Sequence, residues 1–237
     1  MLSAKAIEMR FGALPVLDGV DFSLGDGEGV GIVGPNGAGK TTLLNVLSGA
    51  LHPSAGEVRF RGTDVTGLGA AARCRLGIAR SHQVPRPFGN MTVFENVLVG
   101  ATAGSGRHGA AAYDLALDAL DQCELTELAN RRAESLGLLH RKRLEVARAL
   151  ATDPAVLLLD EIGGGLTDSE ATDLVVTLKR IKARGVTVVW IEHIVHILVQ
   201  LVGRLVCMDA GHVIADGEPE TVMKDAAVID AYVGRRR

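Results

Sequence analysis

"GPNGAGKTT", residues 34–42, satisfies the spacing G-x-x-x-x-G-K-[ST] from Gly34 to Thr41. It follows a short apolar strand, "EGVGIVG" (28–34), and opens a helix, "KTTLLNVLSGAL" (40–51), the context this spacing requires. Gly34, Gly37 and Gly39 let backbone N–H groups turn inward around phosphate oxygens, where a Cβ would clash or demand a forbidden dihedral. Pro35, Asn36 and Ala38 complete the loop, and Thr42 continues into the helix. The positive end of that helix favours an anion. Lys40 is expected to reach the β- and γ-phosphates, and the Thr41 hydroxyl to ligate Mg²⁺. The ligand implied is a nucleoside triphosphate with its metal.

Such a loop needs a second strand to hold the metal, and "AVLLLDE" (155–161) supplies one. Asp160 stands at its carboxyl end for Mg²⁺, and Glu161 comes next. Adjacent carboxylates on a strand point to opposite sides, so one can hold the metal while the other reaches an attacking water. "VTVVWIEH" (186–193) ends another apolar strand with Glu192 and His193. An imidazole there can hydrogen-bond a γ-phosphate and register its loss. His193 and His196 lack a third ligand and the H-E-x-x-H order, which argues against a metal pair.

Composition narrows the class. The chain has 237 residues, of which 47% are hydrophobic and 22% charged, enough for a sizeable core near the upper end of one domain. A net charge of −3 argues against a general nucleic-acid binder, and the basic tail "GRRR" (234–237) reads as a solvated terminus. Three cysteines without a C-x-x-C imply a reduced, cytosolic chain. The opening "MLSAKAIEMRFG" has no sustained apolar core and is not expected to act as a signal peptide. "HILVQLVGRLVCMD" (196–209) is broken by Gln200, Gly203 and Arg204, so no spanning helix is expected.

Working outward from the loop, period-2 alternation marks "AKAIEMRF", "VLDGVDFSL" and "GEVRFRG" as strands. From about Val84 to Leu150 the pattern turns helical, with a Gly-rich break at "AGSGRHG" (103–109). Strand and helix alternation then returns, and "RLVCMDAGHVIADGE" (204–218) reads as a hairpin turning at Ala210–Gly211. The expected fold is α/β, a P-loop core of parallel strands with an N-terminal antiparallel β-layer and a helical insertion. The domain expectation is one unit over 1–237, with a helical subdomain at approximately 84–150.

The ordered set of P-loop, Gln83 in "GIARSHQ", Asp160–Glu161 and His193 resembles the ATPase subunit of ABC transporters over essentially the whole chain. "MTVFENVLVGA", "RLEVARALATDPAVLLLDE", "WIEHIVHIL" and "VIADGEPETVMKDAAVIDAYVG" look like the branched-chain amino-acid importer group. The resemblance implies further roles. Phe11 would stack on adenine, and Gln83 would bridge Mg²⁺ or the water and sense the membrane subunit. Glu161 would polarise the water, and His193 would act as the switch histidine. A GTPase reading fails for want of an N-K-x-D motif, and single-cassette length disfavours DNA-repair and translation relatives.

The resemblance also places Leu136, Gly137, Leu138, Leu139 and His140 on the family signature L-S-G-G-Q, of which only the leucine matches. Gly137 stands where a serine would give its hydroxyl to a γ-phosphate, and Leu138 and Leu139 replace two glycines. Losing one such donor typically costs about 3 kcal/mol. Ile162 stands where the family usually has proline, and Thr167 replaces an acidic or amide residue at the dimer contact. In this family a signature faces the partner's P-loop. The expected partners are therefore a second, different ATPase subunit in preference to a second copy, transmembrane permease subunits, and indirectly a solute-binding protein. The expected location is the cytoplasmic face of the membrane. A lipid or polysaccharide exporter ATPase and a weakly hydrolysing regulatory subunit are the alternatives.

Overall fold

The alternation at the start of the chain folds as two long antiparallel strands, β1 (Leu2–Phe11) and β2 (Leu14–Leu24), in a computed structural model that describes residues 1–233. Gly234 and the basic tail lie outside the described residues. On β1 the buried positions switch from Leu2 and Ala4 to Ile7 and Met9. A register shift between Ala4 and Ile7 causes the switch, with Ala6 at φ +48°. Such a bulge turns the following side chains to the other face.

The chain continues through β3 (Gly29–Val33), α1 (Lys40–Ser48), β4 (Ala55–Phe60), β5 (Thr63–Asp64), α2 (Ala70–Leu76) and β6 (Ile78–Arg80). Then come α3 (Val93–Val99), α4 (Ala110–Gln122), α5 (Leu138–Leu150), β7 (Val156–Asp160) and α6 (Asp168–Ala183). The last elements are β8 (Thr187–Ile191), α7 (Val195–Leu198), β9 (Arg204–Asp209), β10 (His212–Gly217), α8 (Pro219–Lys224) and α9 (Ala226–Val233). Two units divide these elements: Met1–Ala70 with Thr187 onward, and Ala71–Val186.

The first unit contains the antiparallel layer, ordered β2-β1-β4-β5. It also contains β3, paired in parallel with β8 on one side and β9 on the other, with β10 closing a hairpin on β9. Every residue of β3 and β8 is buried, which is why both read as unbroken apolar runs. Gly31 in β3 admits Leu198 and Leu205: a Cβ there would lie 2.7 Å from the Leu198 Cδ2 and 2.9 Å from the Leu205 Cδ1.

The second unit pairs β6 with β7 in parallel and packs α3, α4 and α5 on one another, with α6 against α4 and α5. α3 opens on a capping box, Thr92 and Glu95 each satisfying the other's backbone N–H. It runs on through a π turn, Gly100–Gly104, so the break expected over 103–109 begins only at Ser105.

Candidate functional site

Strand β3 ends at Gly34, which turns at φ +140°. A Cβ there would lie 2.0 Å from the Met208 carbonyl oxygen, so the position admits glycine alone. Gly37 and Gly39 take φ of 81° and 100°. Asn36 and Gly37 form an exposed tip, and the Ala38 N–H donates to the Pro35 carbonyl at 3.2 Å to close the turn. Lys40, buried at the first position of α1, donates its ammonium to the carbonyls of Gly34 at 2.7 Å and Pro35 at 2.9 Å. Its charge thus rests on oxygens of its own loop, acceptors that phosphate oxygens can replace. Thr41 is exposed and Thr42 half-buried beside it.

The same unit carries Phe11 and His193. Phe11 ends β1 directly opposite Leu14, and the two exposed side chains make an apolar plate at a hairpin tip. His193 is exposed just beyond β8. Its backbone N–H donates at 3.1 Å to the carboxylate of the buried Glu192.

The second unit carries Gln83, Asp160, Glu161 and the stretch 136–140. β7 stops at Asp160, so Glu161 is not on the strand: it takes a left-handed φ of +44°. That turn, rather than strand alternation, sets the two carboxylates apart. Asp160 is buried and accepts the Arg80 guanidinium at 2.7 Å, from the register-matched strand β6. The Gln83 side-chain amide donates to the Glu161 carboxylate.

Residues 136–140 lead into α5, which begins at Leu138. Gly137 caps the helix at φ −67° and ψ 169°, with Leu136 buried and Leu138 exposed. Leu138 leans over Gly165, whose Cβ, if present, would lie 3.2 Å from it. Burial, with Arg143 next, holds the His140 pKa below its ordinary value. Ile162 is fully buried, and Thr167 is the cap of α6, exchanging hydrogen bonds with Glu170 in a capping box.

A set of residues just past 136–140 escapes the sequence reading. Lys142, Glu145 and Arg148 recur every three positions on one face of α5 and grip the segment after Gln83. The Lys142 ammonium donates to the Gln83 carbonyl at 2.7 Å and the Glu161 carbonyl at 3.4 Å. The Glu145 carboxylate accepts the Arg86 N–H at 2.6 Å, and Arg148 donates to the Arg86 carbonyl at 2.9 Å. The Arg148 guanidinium also lies 4.9 Å from the centre of the Phe88 ring. The sequence carries only a three-residue recurrence of charge, which an amphipathic helix shows equally when that face meets water.

Comparison with known proteins follows the same outline. Residues 17–163 match the family model described as "ABC transporter", and residues 212–237 match "Branched-chain amino acid ATP-binding cassette transporter". The chain is 34% identical to the high-affinity branched-chain amino acid transport ATP-binding protein BraF of Pseudomonas aeruginosa, covering 99% of this chain and 98% of that protein. It is likewise 34% identical to LivG of Escherichia coli K12, with the same coverage. Among solved structures, a nucleotide-free ATP-binding cassette superposes with a TM-score of 0.90 at 32% identity, covering 99% of both chains. The ADP conformation of the cassette MJ1267 gives 0.89 at 32% identity, again with 99% of both chains covered. The dimeric cassette MJ0796 gives 0.82 at 25% identity, covering 92% of this chain and 99% of that one.

Proposed function

The chain belongs to the ABC transporter ATP-binding proteins, in their branched-chain amino acid group, and from that premise we propose how its residues divide the work. It is the ATP-binding subunit of a branched-chain amino acid importer, and its reaction is ATP hydrolysis coupled to transport. In this reading residues 1–237 are one ABC ATPase domain, and 84–150 are its helical subdomain.

Gly34 to Thr42 cradle the triphosphate, Lys40 exchanging its two loop carbonyls for β- and γ-phosphate oxygens, while Phe11 stacks on adenine. Thr41, Gln83 and Asp160 offer a hydroxyl, an amide and a carboxylate, an all-oxygen donor set that suits Mg²⁺. When bound, the ion neutralises charge on the β- and γ-phosphates. Glu161 accepts a proton from the attacking water, a contribution of typically 10²–10⁴-fold. His193 hydrogen-bonds the γ-phosphate. The observation that carries this assignment is the hydrogen bond from Gln83 to Glu161, which joins the sensing amide to the carboxylate that acts on water.

The proposed partners are a second cassette and permease subunits, with a solute-binding protein engaged indirectly. The proposed location is peripheral, at the cytoplasmic face through the permease, on the strength of the family; among the described residues no helix is long and apolar enough to cross a membrane. Exposed Val84 and Phe88 after Gln83 support docking there. The exposed Leu138 in place of a signature glycine supports a different second subunit, whose own signature would complete this chain's site.

Glu161→Gln tests the assignment. It is expected to keep Mg-ATP binding, abolish turnover in the assembled transporter, and form an ATP-dependent dimer by light scattering when the second cassette is present. Turnover at the native rate overturns the role of Glu161. Dimerisation by this chain alone overturns the preference for a different partner.

A further inference from the structure

The phosphate-binding loop is held by a residue from the far end of the chain. The Gly34 N–H donates to the Tyr232 hydroxyl at 2.8 Å. Gly34 is thereby gripped three ways: its N–H by Tyr232, its carbonyl by Lys40 at 2.7 Å, and its Cα by the Met208 carbonyl, which leaves no room for a Cβ. Tyr232 lies in the last described turn of α9, which buries Val228 but exposes Ile229 and Val233. A helix with so little apolar anchorage depends on specific polar contacts to keep its place.

We propose that Tyr232 is a positioning residue of the phosphate-binding loop, fixing the Gly34 peptide and linking the seating of α9 to nucleotide occupancy. The proposal rests on the nucleotide reading above and extends it to the C-terminal segment. When a phosphate draws Lys40 from the Gly34 and Pro35 carbonyls, the Tyr232 hydroxyl remains to orient the first peptide of the loop. Linkage makes the effect reciprocal: if α9 favours bound nucleotide, bound nucleotide steadies α9.

The test titrates Mg-ADP into the full chain. Tyr232→Phe keeps the ring and deletes the hydroxyl. It is expected to weaken Mg-ADP binding about fivefold, the loss of one hydrogen bond, and to lower the nucleotide-free unfolding midpoint slightly while the transition stays cooperative. Bound Mg-ADP should slow amide exchange across 226–233 in the native chain and fail to do so in Tyr232→Phe. In the assembled transporter that variant should raise KM for ATP with kcat retained. Ile229→Ser alters the exposed face of α9 without touching the hydroxyl and should bind Mg-ADP as the native chain does. Native affinity in Tyr232→Phe, or an equal loss in Ile229→Ser, overturns the proposal. A native chain that binds no Mg-ADP overturns the nucleotide reading instead, which keeps the two failures apart.

Discussion

The Lys142 ammonium donates to the main-chain carbonyl of Gln83 at 2.7 Å, from a side chain that is itself buried. A charged donor of this kind contributes about 1.5–3 kcal/mol, and removing it leaves a carbonyl to find another partner. Lys142→Met is therefore expected to lower kcat for ATP hydrolysis roughly ten- to hundredfold with KM little changed. Lys142→Arg should restore most of the loss. Steady-state kinetics of the assembled transporter check this, and a change confined to KM would place Lys142 in binding rather than in positioning Gln83 and Glu161.

Gly137 offers open space for a side chain, and its φ of −67° suits any residue. Gly137→Ser should add a cap to α5 and stabilise the fold by a few tenths of a kcal/mol. It also returns a hydroxyl to the signature position. In a complex with the second cassette, turnover at the site that this signature faces should rise; if the added hydroxyl leaves turnover unchanged, Leu138 and Leu139 are what limit it.

Gly31→Ala places a Cβ 2.7 Å from Leu198, in a strand with no free volume. Overpacking of this kind typically costs about 1–3 kcal/mol. Leu198→Ala alone should also destabilise, by leaving a cavity. The double variant should lose less than the sum of the two, because Leu198→Ala opens the space that the new methyl at position 31 fills. Urea denaturation of the four chains gives the coupling, and simple additivity would contradict the packing described.

Two histidines contribute to the acid limb of the stability curve. His82 and His140 both have a pKa below the ordinary 6.5, in each case chiefly through burial and next through a neighbouring arginine. The folded chain thus disfavours the imidazolium, and below pH 6.5 the unfolded chain binds more protons. Stability from these sites is fully present above that value and is lost as pH falls through the depressed folded values. Replacing either histidine by Gln should flatten the decline. Denaturation midpoints across an acid pH series measure it.

The sequence alone determined whatever is local in the chain. Gly34 to Thr41 is legible because its chemistry resides in backbone dihedrals and one lysine within a single turn. Strands β3, β7 and β8 are legible because burial on both faces leaves an unbroken apolar run. Asp160, Glu161 and His193 are legible at the ends of such strands, whereas Gln83, beyond the short β6, is legible only through the family resemblance. Tertiary structure decided which partners those groups take. Lys142, Glu145 and Arg148 look like the solvated face of an amphipathic helix until the Gln83–Phe88 segment packs on them. Thr167 belongs with the local features, its capping box with Glu170 being written in the T-x-x-E spacing at 167–170. Nothing near Tyr232 in the sequence points to Gly34, because a hydrogen bond between residues so far apart exists only once β3, β9 and the C-terminal helices are assembled. Composition and periodicity specify which side chains leave water; the packed fold alone specifies which polar group each buried polar atom meets.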